Sequence, residues 1–196
     1  MTAHRDDGST RTYEMKVLKS GQDKLRLSFS DPASVRGQEM LRQGENMWVY
    51  MPNLKRSLRV ASRDSFQGGD FNNADVLRVN YEVDYAAQLI AQNDVPGSIG
   101  VELQAKTGDA AYDKIRLWLR DGDFMPLKGE YFAASGKMLR SAEFSDVKSF
   151  GGFKRPAKVL MKNMLATSRY SEMLVRTFNT KVKPAPGQFV LDNLGR

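Results

Sequence analysis

Along most of the chain, apolar and polar residues alternate with a period of two, the signature of strands with one buried face. Tyr13, Met15 and Val17 alternate with Glu14, Lys16 and Leu18, and Leu25, Leu27 and Phe29 alternate with Lys24, Arg26, Ser28 and Ser30. The turn residues Ser20-Gly21-Gln22-Asp23 between these runs predict a hairpin, which Asp31-Pro32 ends. A second set runs from Val35 to Gln43, through Gly44-Glu45-Asn46, into Met47 to Met51. Beyond Pro52-Asn53 it continues over Ser57 to Ala61, with Leu58 and Val60 on one face. Three strands joined by tight polar turns make a meander.

Ser65 to Asn80 differs. Gly68-Gly69, Asp70 and Asn72-Asn73 precede Ala74-Asp75-Val76-Leu77, which predicts a short capped helical turn. Strand patterns resume at Tyr81 to Tyr85, Val101 to Leu103, Ile115 to Leu119, Pro126 to Phe132, Met138 to Val147 and Val159 to Met164. Tyr170, Leu174 and Phe178 fit helical spacing, while their neighbours also suit a strand. Pro184 and Pro186 then break the chain before a short apolar tail, Phe189 to Leu194. About ten short strands with few helical segments predict an antiparallel barrel or strongly curved sheet. Residues 1–11, predominantly polar, read as a disordered leader or a non-native remnant, and residues 12–196 as one domain.

Composition narrows the chemistry. The 196 residues contain no Cys and one His, so disulfides, thiolate metal sites, Cys nucleophiles and multi-His centres are excluded. With 30 Lys and Arg against 23 Asp and Glu, the net charge of +7 favours anionic partners. The charges are spread, however, without a run of five or six, which is the pattern of solvated faces rather than of a nucleic-acid footprint. No apolar run approaches the ~18 residues of a membrane helix. No signal peptide is visible, which suits a cytosolic chain or an exported one without its leader.

Catalytic constellations are lacking. Asp70, Asn72, Asn73 and Asp75 loosely suggest a calcium loop, but its twelfth position is Tyr81 instead of Glu, so helix capping explains them better. Asp121-Gly122-Asp123 is turn chemistry. There is no phosphate loop, nucleophile elbow or dinucleotide fingerprint. The supply of 10 Met, 10 Phe, 7 Tyr and 2 Trp is generous, and such side chains line surfaces that accept variable apolar ligands as well as filling cores.

Arg36-Gly37-Gln38, Met40-Leu41, Met47-Trp48-Val49-Tyr50-Met51-Pro52 and Lys55-Arg56 give the chain a resemblance to the outer-membrane lipoprotein-sorting family, the LolA-like carriers. Ser65-Phe66, Gly68 to Phe71 and Asp75-Val76 resemble the family's next block. Tyr112 to Trp118, Pro126 to Lys128, Glu130-Tyr131, Ser135 to Lys137 and Phe189 to Leu194 follow in order. The resemblance implies a mainly β fold: a strongly curved antiparallel sheet forming a half-open β-barrel capped by short helices. It implies a non-enzymatic, cofactor-free, exported periplasmic carrier that shelters the acyl chains of lipoproteins or other lipids. An inner-membrane transporter would load it and an outer-membrane acceptor would unload it, with the carrier monomeric and nucleic acid no partner. Family members carry an amphipathic helix before the first strand, which Met1 to Arg11 does not supply.

On this reading the cavity-lining candidates are Leu25, Leu27, Phe29, Met40, Trp48, Tyr50, Leu58, Val60, Leu117 and Phe132. Trp48 and Tyr50 share one strand face, and Met47, Val49 and Met51 the other; large amphipathic rings suit a cavity wall with a wet mouth. Arg36, Arg42, Lys55 and Arg56 are the candidates for a rim that meets headgroups or a partner. The alternative reading is a periplasmic lipid or lipoprotein sensor regulating a membrane-bound partner. A nucleic-acid-binding barrel, resting on charge alone, would show binding that collapses as salt rises.

Overall fold

The computed structural model describes residues 1–77, 81–91, 95–108 and 110–196. Its strands are β1 (Thr2–His4), β2 (Thr10–Thr12), β3 (Glu14–Ser20), β4 (Lys24–Asp31), β5 (Glu39–Gln43), β6 (Asn46–Met51) and β7 (Arg56–Val60). After two short helices, α1 (Asn73–Leu77) and α2 (Tyr81–Asp84), come β8 (Tyr85–Leu89), β9 (Ser98–Ala105), β10 (Lys114–Arg120) and β11 (Pro126–Phe132). The long hairpin β12 (Met138–Phe150) and β13 (Phe153–Asn163) and the strand β14 (Tyr170–Leu174) follow. Every ladder is antiparallel.

The strands form a five-stranded sheet, β3-β4-β5-β6-β7, and a nine-stranded sheet, β2-β1-β14-β13-β12-β11-β10-β9-β8. The two meet at Tyr13, which links β2 to β3. Its backbone N–H donates to the Met1 carbonyl at 2.7 Å, and its own carbonyl accepts from the Met1 amino group at 2.8 Å. One extended run, Thr10 to Ser20, therefore edges both sheets, and they share a single apolar core. The barrel stays open because β7 and β8 lie at the two ends of the strand order. Described residues between them, from Ser62 to Leu77, lie on the concave side and are packed into the common core.

Several expectations change here. The opening residues are not disordered: β1 pairs with β14 and β2 with β1, and Met1 and Ala3 are buried in this hairpin. Short polar strands gain order from a neighbouring edge rather than from their own apolar content. Tyr81 to Tyr85, expected as a strand, opens with the helical turn α2. Its tyrosines recur at four residues, and Tyr81 and Tyr85 pack ring to ring at 6.1 Å. The expected helical turn at Ala74 to Leu77 is present as α1, while residues 78–80 of that segment lie outside the described ones. Within Ser168 to Phe178, Tyr170–Leu174 forms the strand β14, and Phe178 lies beyond it.

Candidate functional site

Opposed residues in antiparallel ladders share a face. On the five-stranded sheet, Met15, Phe29, Leu27, Leu25, Met40, Val49, Met47 and Val60 therefore point to the concave side. The other wall supplies Leu103, Ile115, Leu117, Tyr131, Ala142 and Met161. Between the walls lies the segment from Ser62 to Leu77, whose Phe66, Phe71, Ala74 and Leu77 are buried in the common core. This plug covers the apolar surface that a closed barrel would cover by pairing its edges.

The plug is tied down by polar groups. Asp70, 1% exposed, accepts hydrogen bonds from Ser171 Oγ at 2.9 Å and Asn163 Nδ2 at 3.0 Å. The Asp70 N–H donates to Ser171 Oγ, and the Asp70 carbonyl accepts from Arg140. Asp70 is thus an anchor to β13 and β14 and not the helix cap its sequence context suggests. Gly69 makes the approach possible, since a Cβ there would sit 3.1 Å from Ser171 Oγ. Tyr13 donates from its hydroxyl to the Gln67 carbonyl, and Arg169 donates to that of Gly68.

A second carboxyl of the plug, Asp75, is half-buried beside Tyr112. It accepts from the Asn72 N–H at 2.7 Å and from the Tyr112 hydroxyl at 2.8 Å. Burial pushes its pKa up to about 6, against those two hydrogen bonds and the Arg140 charge. Burial likewise raises Tyr85 to about 12 and holds Tyr81, Tyr112 and Tyr131 above the usual phenol range, with the Asp75 charge adding to each. Phenols so weakly acidic act as neutral donors. Among the described residues no cluster of three or more potential ligands is arranged for a metal ion.

Of the expected lining, Leu25, Leu27, Phe29, Met40 and Leu117 are buried on the concave side, and Val60 packs against them. Leu58 shares their face at the edge strand and is 37% exposed. Trp48 and Tyr50 do not belong to this surface. They lie on the outer face with Leu18 and Leu41, under Phe189, Leu191 and Leu194. Periodicity fixes which residues go together, but both faces of this strand are apolar and both are covered. Phe132 is also outside: it pairs with Lys114, and Lys114 Nζ lies 4.8 Å from its ring. Sequence reading missed the plug's Phe66 and Phe71, whose flanking Gly68-Gly69 was the available signal for a close-packed loop.

The expected rim also divides. Arg36 is exposed, beside Asp31 at 3.8 Å, and Lys55 at the turn before β7 and Arg56 at the start of β7 are exposed. Arg42 is buried. It donates to the carbonyls of Gly44 and Gln22, and at 3.5 Å to that of Leu77, so it holds the end of α1 rather than a rim.

Open on one side, plugged by its own chain and lined by aliphatic, Met and aromatic side chains, this curved sheet has the fold of a LolA-type half-barrel. The chain aligns with a LolA superfamily protein from Nitrosomonas europaea at 24% identity, over 97% of this chain and 87% of that one, with a TM-score of 0.82. A putative outer membrane lipoprotein-sorting protein domain from Vibrio parahaemolyticus gives 23% identity, 100% and 88% coverage and a TM-score of 0.86. A DUF1329 family protein from Desulfovibrio piger gives 20%, 98% and 88%, and 0.83. No curated protein matches the chain. The model of a family described only as "Uncharacterized protein" matches residues 21–196, and the chain belongs to that family.

Proposed function

We propose that this protein is a non-catalytic periplasmic carrier that shelters the acyl chains of a lipoprotein or another lipid against its concave sheet. The observation that carries this reading is the nature of the cover. A contiguous surface of aliphatic, Met and aromatic side chains from both sheets is closed by a separate plug whose Phe66, Phe71, Ala74 and Leu77 fill the space between the walls. Exchange of Phe66, Phe71 and Leu77 for ligand would keep the apolar walls of both sheets covered. Acyl transfer from water gains about 0.8 kcal/mol per CH₂, enough to drive that exchange. The likeness of the fold to a lipoprotein-sorting domain supports the same reading. Passage from an inner-membrane transporter to an outer-membrane acceptor, by a monomeric carrier, completes the proposal.

The test is uptake of a fluorescent fatty acid from solution by delipidated protein. Saturable binding is expected, and Leu58→Glu, a partly exposed change on the concave side, should weaken it at least about fivefold by placing a charge against the chain. Trp48→Phe, on the outer face, should leave it unchanged. Absence of saturable uptake would overturn the reading.

A further inference from the structure

The hairpin β12–β13 is longer than its neighbours. β11 pairs with β12 only between Met138 and Glu143, and β14 pairs with β13 only between Lys158 and Lys162. From Val147 to Pro156 the two strands pair with each other alone and project as a two-stranded ribbon. Such a ribbon has no core to bury apolar side chains, yet its tip carries Phe150 and Phe153 around Gly151-Gly152. Phe178, from the segment after β14, stacks on Phe153 at 5.3 Å and meets Phe150 edge-on at 6.1 Å. Phe153 remains 50% exposed, and Val147 and Val182 are exposed as well.

The charge carried by the ribbon tip and the segment after β14 is basic, with Asp123, Asp146, Glu172 and Glu14 as acids nearby. Residues 147–158 contain Lys148, Lys154, Arg155 and Lys158, residues 174–185 contain Arg176, Lys181 and Lys183, and neither stretch contains an acid. Setting those seven aside leaves 23 basic residues against 23 acidic ones, so the chain's whole excess charge of +7 resides here. Lys148, Lys158 and Arg176 face Asp146, Glu172 and Glu14. Lys154, Arg155, Lys181 and Lys183 form no ion pair among the described residues. Arg155 lies over the Phe178 ring at 4.9 Å, and its Nε has no hydrogen-bond partner.

We infer that this aromatic tip and its ring of cations dock the protein onto the surface of an anionic lipid bilayer. Aromatic side chains settle at the headgroup level, while long basic side chains lay their stems along apolar surface and keep their charges at the phosphates. Each Lys or Arg held near an anionic membrane adds to the attraction, and the exposed rings add the apolar part. A purely ionic partner would explain the cations but not a solvent-facing phenylalanine stack at the end of a ribbon. The inference is independent of the carrier reading, because the tip lies outside the concave core.

The experiment is flotation of the full chain with vesicles of equal parts phosphatidylglycerol and phosphatidylcholine, and with phosphatidylcholine alone. Binding to the anionic vesicles is expected, with little to the neutral ones and a decline as salt rises. Phe153→Ser should lower the partition coefficient at least about tenfold, and Lys154→Glu with Lys181→Glu comparably. Leu54→Ser, equally exposed but at another turn, should not change it. Phe153→Trp should shift its emission to the blue on binding and be quenched by brominated acyl chains. No anionic-vesicle binding, binding unchanged in Phe153→Ser, or equal capture by polyglutamate would overturn the inference. Fatty-acid uptake measured in parallel separates the two proposals: Phe153→Ser should retain it, and loss of uptake alone counts only against the carrier.

Discussion

The five-stranded sheet is covered on both faces, and the two covers are fastened in opposite ways. On the concave side the cover brings the acids: Asp70 of the plug accepts from Ser171 and Asn163 of the larger sheet, and Asp75 from Tyr112 in the connection between β9 and β10. On the outer side the sheet brings the charged groups and the cover offers its backbone. Arg26, paired with Glu39 at 2.6 Å, donates to the carbonyls of Gln188 and Asn193, and Gln43 donates to that of Phe189. Glu39 accepts from the N–H of Gly195, where a Cβ would collide with the Tyr50 ring. The Asp75 carboxyl, raised to about 6, titrates near neutrality, so the plug includes a fastening whose strength depends on protons.

The most damaging way to probe this difference is in the concave wall itself. Leu27→Ala, at a fully buried position shared by both sheets' core, is expected to cost about 3–4 kcal/mol in urea unfolding, by lost transfer and a cavity. Asp75 gives the next effect. Its pKa of about 6 lies above the ordinary 3.8, so the protonated form is favoured in the folded state. Its contribution to stability should be complete below about pH 4, decline by on the order of 2–3 kcal/mol as pH rises through 6, and then level off. Asp75→Asn, which keeps the acceptor oxygen for Tyr112 and Asn72, should flatten that decline. A profile with the same slope in both proteins would show that the plug is not held this way.

Lifting the strap should do less. Phe189→Ala in the small outer cluster is expected to cost about 2 kcal/mol, below the full-core value, because the thin cover can collapse onto Leu41. Hydrogen exchange should quicken over residues 186–195 while the plug keeps its protection. Arg36→Ala, at an exposed pair with Asp31, should change stability by less than about 0.5 kcal/mol.

The same contrast explains what sequence could and could not reveal. Alternation located the hairpin β3–β4 and the meander β5–β6–β7, because one register places Leu25, Leu27 and Phe29 together and any slip would scatter them. It also grouped Trp48 with Tyr50 correctly, yet assigned them to the wrong side. Which apolar face is inner depends on how the sheet curves, and that is set by β8 to β14, far along the chain. Residues 148–158 lack clean alternation because their strands have no core to face, so the projecting ribbon was invisible. Arg42 looked like a surface charge, since nothing local signals that its donors reach three backbone carbonyls, one of them 35 residues away. The anchoring of Asp70 needed partners 93 and 101 residues distant, beyond any local motif.

The pairing of β1 with β14 sets Thr2 against Glu172 and His4 against Tyr170. Those contacts span nearly the whole described chain, so almost all of it must be free to fold before β1 finds its partner. Until then the plug's anchor at Ser171 is missing too, and the apolar wall stands open to water. Loop closure on that scale slows folding relative to a chain of local hairpins. The nascent protein therefore passes through a stage with its most adhesive surface bare, and whatever holds it then must release it only after the last strand arrives.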